Sequence, residues 1–394
     1  MARYVALILV CTGITSISGL FLFNCTQEEN IGSPIPVPDQ KNKEKDCDMI
    51  ETLAFSPDYT LMLTGNYDNN AYLWDLANRK ILQVFSGHKD SVVSVAFSYD
   101  GKKVLTGGAD GKAILWDAYS GKKLATLHME EYDEKVTAVA FSPDNSRLFT
   151  GSGGHVIFWN ASTGSEIDTF ANGSYTHFWE VTSIICSPDG KTLLVGGSKS
   201  INEIKTFGGV ISRTFDGHDQ EILCMAISQD RKRILTGSLD ETAILWDAET
   251  GDILRKFSGI MAPVISVAFS SDRLKVVTGD RENKIKLWDV LTGEEERMFS
   301  GRYGGYVIYV AISPDDSKIL SFTQDQKILI WDVATGASTL FFDGRKKEFC
   351  YVGEAKTDGG KPTVWDLSQR LFDFSSKMFP NFDEKPRQKN NTDH

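Results

Sequence analysis

Histidine is scarce in this chain, with six in 394 residues. The six cysteines (11, 25, 47, 186, 224 and 350) form no CxxC pair and sit beside no histidine cluster. That spacing argues against a metal site. No GxSxG, HExxH or phosphate-binding glycine loop occurs. Positive charge is also short: 42 Lys and Arg against 53 Asp and Glu leave a net charge of −11. Affinity for nucleic acid rests mostly on cationic contacts, so nucleic acid is set aside as a partner. The expectation is a non-catalytic protein with no metal and no cofactor. Apolar content of 41% and charged content of 24% are ordinary for a globular chain.

Charge is absent altogether from residues 4–23. That length spans a bilayer as a helix or serves as the apolar region of a signal peptide. Arg3 precedes the run, and Glu28 and Glu29 follow it. The positive-inside bias then places the bulk of the protein outside the cytoplasm. Leu22-Phe23-Asn24-Cys25 resembles a bacterial lipobox, with Leu at −3 and the cysteine at +1. It departs from the usual small residues at −2 and −1, where Phe23 and Asn24 stand. The resemblance implies that residues 1–24 are a signal peptide and that Cys25 is acylated as the first mature residue. An uncleaved anchor and an ordinary cleaved signal remain open. Residues 25–48, with three prolines and many charges, read as the lipidated cysteine and a flexible tether. The expected location is the bacterial cell envelope, membrane-anchored and facing out of the cytoplasm.

From residue 49 the chain repeats. Apolar alternating runs end in turns such as LAFSPD, VAFSYD and VAISPD, with serines at 56, 98, 142, 187, 228, 270 and 313. A second line of the repeat ends in Trp-Asp or a variant of it, with tryptophans at 74, 116, 159, 246, 288, 331 and 365. Seven of the eight tryptophans occupy this one slot. Alternating Val, Ile, Leu and Phe mark strands, and Ser-Pro-Asp-Gly-like stretches mark tight turns. Each unit of ~40–45 residues holds about four short strands and must bury its faces against neighbours, which suits a propeller.

These motifs resemble the tryptophan–aspartate (WD) repeat β-propellers over residues 49–374. The resemblance implies an all-β fold and a buried hydrogen-bonded set in each blade, built from His, Ser or Thr, Asp and Trp. Two units match fully: His88, Thr106, Asp110 and Trp116, then His218, Thr236, Asp240 and Trp246. A His–Asp–Thr trio invites a catalytic reading, but its repeated placement favours structure. The first, third, sixth and seventh units keep less of the set, and the fourth, near 181–216, has no Trp-Asp.

Seven SPD-like turns imply seven complete units. The stretch 348–374 adds a shortened one, so eight blades with a reduced last blade are expected. The alternative is seven blades with extra strands. Ring closure makes Cys47 and Cys350 neighbours, and they form either a disulfide latch or two free thiols. Residues 375–394 are polar and read as a disordered tail.

The resemblance implies that the function is protein binding through upper-face loops. Two longer loops flank one blade, HMEEYDEKV (128–136) and NGSYTHFWEV (172–181). They offer Glu130, Tyr132, Tyr175, His177 and Trp179, with Tyr303 further round the ring. Aromatics in an acidic rim suit a partner with a basic or mixed surface, though such side chains also pack into their own loops. The reading is an interaction scaffold tethered as a lipoprotein. An envelope assembly factor, or a propeller hydrolase, is the alternative.

Overall fold

The computed structural model describes residues 49–349 apart from 59, 77, 79, 130–133, 172–179, 188, 301–304, 314 and 344–347. Seven antiparallel sheets follow one another along the chain. They are blade 1 (Ile50–Ser86), blade 2 (Val92–His128), blade 3 (Val136–Ala171), blade 4 (Ser183–Asp216), blade 5 (Ile222–Phe257), blade 6 (Val264–Ser300) and blade 7 (Val307–Asp343). Each has four strands in chain order, here a to d, and blade 7 carries one more at its edge. The a strands of successive blades pack on one another around the axis, and the d strands lie outermost. Burial follows this order: Val136–Phe141, an a strand, is buried at every position, whereas most of Glu295–Ser300, a d strand, is exposed.

The serine of each SPD-like turn has a double task. Ser142 Oγ donates to Asp144 Oδ1 at 2.6 Å and accepts from the Arg147 amide at 2.9 Å. The same pair of bonds recurs at Ser98, Ser228, Ser270 and Ser313. A side chain thus satisfies the backbone at every a–b turn, where the strand ladder cannot.

Neighbouring blades are tied by side chains reaching the next blade's backbone. Thr137 donates to the Val181 carbonyl at 2.5 Å and Thr182 to the Ile222 carbonyl at 2.6 Å. Ser94 and Ser266 accept from the amides of Val139 and Val310 at 3.1 and 3.0 Å. Close approach is built into the b strands: a Cβ on Gly237 would lie 2.5 Å from Val264 Cγ1 of the following blade.

The expected eighth blade is corrected by the closure. Blade 7 packs directly on blade 1, so no gap is left for another sheet. Trp74 and Phe342 meet edge to face with centroids 5.1 Å apart, and Phe55 lies 6.0 Å from Tyr309. The Ile50 amide donates to Gln326 Oε1 at 2.6 Å, and Gln326 Nε2 donates to the Ile50 carbonyl at 3.2 Å. Of the stretch 348–374, only Glu348–Phe349 is described, as a fifth strand on the edge of blade 7. The architecture is the seven-blade alternative.

Blade 4 departs from the repeat without disturbing the fold. Ile204 pairs with Leu193 as Trp246 pairs with Ile234, so Ile204 fills the tryptophan slot. Val195 likewise takes the Thr236 position. Both are fully buried. Replacing both partners of a buried hydrogen bond by apolar groups leaves nothing unsatisfied, which is why the loss is tolerated.

Candidate functional site: the upper face

The d–a connections and b–c turns share one end of the ring, where His88 and His218 lie. In blade 5, Trp246 Nε1 donates to Thr236 Oγ1 at 2.9 Å. Thr236 Oγ1 lies 2.7 Å from His218 Nε2, and His218 Nδ1 lies 2.8 Å from Asp240 Oδ2. With Asp240 ionised, Nδ1–H donates to the carboxylate and Nε2 accepts the threonine proton. Asp240 also accepts from the Asp219 amide at 2.9 Å and from Thr242 at 2.6 Å. Blade 2 repeats the arrangement: Trp116–Thr106 3.0 Å, His88 Nε2–Thr106 2.7 Å and His88 Nδ1–Asp110 2.9 Å. Both ring nitrogens of each histidine are engaged and both rings are buried. Neither histidine offers a free base, and each set locks a loop to its blade.

The tryptophan bond persists where the histidine is lost. Trp74–Thr64, Trp159–Thr150, Trp288–Thr278 and Trp331–Ser321 span 2.8–3.1 Å. Different side chains stand in for the histidine. In blade 1 the Tyr72 hydroxyl donates to Asp68 Oδ2. In blade 3 the thioether of Met129 lies 4.0 Å from Thr150 Oγ1. In blade 6 Lys286 Nζ donates to the Gly259 carbonyl at 2.9 Å, pairs with Glu295 at 2.8 Å and lies over the Trp288 ring. Sequence reasoning missed Tyr72 and Lys286, which reach the site from c strands, and Met129, which stands one residue ahead of the histidine's place in the d–a connection.

Around the mouth of the axis sits a second group of residues that the sequence reading also missed. Burial pushes the Glu180 carboxyl up to about 7, and the neighbouring negative charge of Glu221 adds to the shift, against Lys135. Glu221 is raised by burial, with Arg281 opposing. Glu51 is raised by burial and partly relieved by a hydrogen bond from Tyr67 and the charge of Lys135. Tyr306 is raised by burial as well. Three half-buried carboxyls therefore face two cations, Lys135 and Arg281. Such a mouth attracts positive charge. Among the described residues no group of His, Cys, Asp and Glu is arranged to hold a metal ion.

The predicted binding residues Glu130, Tyr132, Tyr175, His177, Trp179 and Tyr303 lie outside the described residues, as do Cys25, Cys47 and Cys350. Cys186 and Cys224 are buried thiols outside any disulfide, and burial pushes Cys186 up to about 12.

The model of the WD domain, G-beta repeat, matches residues 42–75, 79–117, 121–160, 209–247, 251–289 and 293–332, more than half of the chain. The chain belongs to the WD-repeat family. The six matched repeats skip the first three strands of the degenerate blade 4 and everything from the d strand of blade 7 onward. A repeat is offset from a blade by one strand: residues 79–117 run from the d strand of blade 1 through the c strand of blade 2. Similar WD-repeat relatives include the B-type cell cycle switch protein ccs52A of Medicago truncatula, 30% identical over 50% of this chain and 42% of the relative. The WD repeat-containing protein slp1 of Schizosaccharomyces pombe is 31% identical over 31% of this chain and 26% of the relative. The human angio-associated migratory cell protein is 24% identical over 50% and 44%. The chain thus spans less than half the length of these curated relatives.

Proposed function

We propose that this WD-repeat propeller is a non-catalytic scaffold that docks a protein partner on its upper face, and that it is held on the outer side of a bacterial membrane through Cys25. The observation that carries the docking reading is the mouth itself: Glu180 lies beside Glu221, half-buried, Lys135 acts on both Glu51 and Glu180, and Arg281 opposes Glu221. A basic partner segment relieves that crowding, and charge complementarity of this kind sets orientation and association rate. The spent histidines favour binding over chemistry. In the sequence, Tyr132 and Trp179 stand close before Lys135 and Glu180, and this reading assigns them the role of aromatic anchors.

Photo-crosslinking tests the docking reading, with the probe at position 221 on the upper face and at position 249 on the opposite end. Partner adducts are expected at 221 only, and adducts that vanish in the Tyr132→Ala, Trp179→Ala double variant. Equal adducts at both ends defeat the reading. The membrane part has its own measurement: mass spectrometry of the mature N-terminus after fatty-acid labelling. An acylated Cys25 supports it, and an intact, unlabelled Met1 start removes it.

A further inference from the structure

Six of the seven blade seams are built alike. At one register position on the b strand each carries a glycine: Gly65, Gly107, Gly151, Gly196, Gly237 and Gly279. A Cβ there would meet the next blade at 2.5–3.0 Å. The a-strand residues paired with them are small: Thr52, Ser94, Ala138, Ser183, Cys224 and Ser266. The b strand thus lies directly against the next blade's valine side chains and, at Gly65 and Gly107, its backbone oxygens, with Met225 in that place at Gly196.

Blade 7 breaks both rules at once. The paired positions are Tyr309 and Phe322. Both are buried, Phe322 completely. A phenyl ring where the other seams admit no Cβ holds blade 1 further off. The space is filled by one apolar cluster that includes Tyr309, Phe322, Phe342, Leu53, Met62 and Trp74. Direct packing of a strand on a strand is thinner here than at the other six seams. Among the described residues each blade consists of consecutive strands, so none is shared across this seam. Polar ties across it include the two bonds between Gln326 and Ile50.

We propose that the ring has a built-in opening at this place: blades 7 and 1 part along the aromatic seam while the six glycine seams stay shut. The apolar burial that holds this seam is non-directional, and blades held by it part without breaking a strand ladder. Interdigitated glycine seams have no such freedom. The opening has a consequence at the mouth, because Glu51 follows Ile50 in blade 1 and Tyr306 leads into blade 7. Parting the seam separates these two and widens the upper face. This inference rests on the seam geometry and stands apart from the docking reading.

Thiol labelling of the full chain, resolved by peptide mass spectrometry, tests it. Native Cys224 lies at a glycine seam, opposite Gly237, and Met62→Cys places a buried thiol at the aromatic seam. The Met62→Cys thiol is expected to label at least about tenfold faster than Cys224, with little dependence on low urea. Gln326→Ala removes both bonds to Ile50 and is expected to speed only the seam thiol, again about tenfold. Equal labelling of both thiols, or equal acceleration by Gln326→Ala, overturns the proposal. If Met62→Cys does not fold, hydroxyl-radical footprinting of the unaltered protein decides. Trp74 is then expected to be oxidised ahead of Trp246, and the reverse order or parity is fatal. Earlier oxidation of Trp246 would point to the seam of blades 4 and 5, where Ser183 Oγ finds no partner.

Discussion

The Tyr72 hydroxyl donates to Asp68 at the b–c turn of blade 1, the role that His88 plays for Asp110 in blade 2. Tyr72 is nearly buried, and Asp68 also accepts from the Asn70 amide at 3.0 Å. A bond to a charged acceptor contributes about 1.5–3 kcal/mol when its loss leaves the acceptor short of a partner. Tyr72→Phe keeps the ring and removes only the donor. It is expected to lower unfolding free energy by about 1–2 kcal/mol in urea melts. A change inside the error of the melts shows that water replaces the hydroxyl without cost.

Much of this arrangement was legible in the sequence, and the illegible parts share one cause. The spacing of Trp74, Trp116, Trp159, Trp246, Trp288 and Trp331 announced the blades because strand periodicity and turn chemistry are local. The full sets at His88 and His218 were readable for the same reason. Tyr72, Met129 and Lys286 were not, because Tyr72 and Lys286 substitute from c strands and Met129 from a neighbouring position of the d–a connection, and only register reveals that. The blade count failed for a similar reason. Closure is decided by contacts such as Ile50 with Gln326, 276 residues apart, which no repeat spacing reports. One signal went unused. Glu180 and Glu221 stand at the same offset, seven residues before Ser187 and Ser228, and that offset places both at the mouth.

Acid is expected to loosen the propeller through His218. Burial pushes this imidazole below its ordinary value of 6.5, with Asp240 opposing. The unfolded chain takes up the proton near 6.5 and the folded chain resists it. The associated stability is therefore present above pH 6.5 and is lost as the pH falls below it. Asp240 acts in the same direction at lower pH. Burial works to raise it, but hydrogen bonds from Thr242, the Asp219 amide and His218 leave it below 3.8. Its contribution is present above 3.8 and lost as the pH falls through the lower folded value. Between pH 7 and pH 5 this loss runs against the gain from Glu180, so the readout is a difference in unfolding free energy: relative to the unaltered protein, His218→Gln should be more stable at pH 5 than it is at pH 7. An equal difference at both pH values removes His218 as the source of the loss.

Glu180 carries the opposite sign. Its carboxyl is raised from 4.5 to about 7, chiefly by burial and then by Glu221. The folded protein holds the proton through that interval while the unfolded chain releases it. Stability is thus fully present below 4.5 and declines as the pH rises to about 7. Glu180→Gln abolishes the decline. Because the carboxyl is only half-buried, screening leaves a gain of roughly 1 kcal/mol at pH 8. No gain is expected at pH 4. Calorimetry at the two pH values separates this from a general packing effect, which would appear at both. The same substitution should weaken capture of a basic partner, so the mouth trades stability for binding.

Arg231 occupies a turn position that Gly101 and Gly190 hold in blades 2 and 4. Its φ is 64°, against 67° and 71° for the two glycines. In that left-handed region a Cβ crowds the following carbonyl and costs about 1–2 kcal/mol, whereas glycine is unstrained. Glycine gives back part of the gain through its greater freedom when unfolded. Arg231→Gly should therefore stabilise by about 0.5–1 kcal/mol, a rise of a few degrees in Tm at most. Arg273 offers the control. It has the same φ of 64°, but its guanidinium pairs with Asp230 at 2.6 Å. Arg273→Gly relieves the same strain and loses that ion pair, so its gain should be smaller. Equal gains would mean that the exposed pair contributes nothing, as many surface pairs do. A loss of stability in Arg231→Gly would show that its side chain does more on the lower rim than relax a turn.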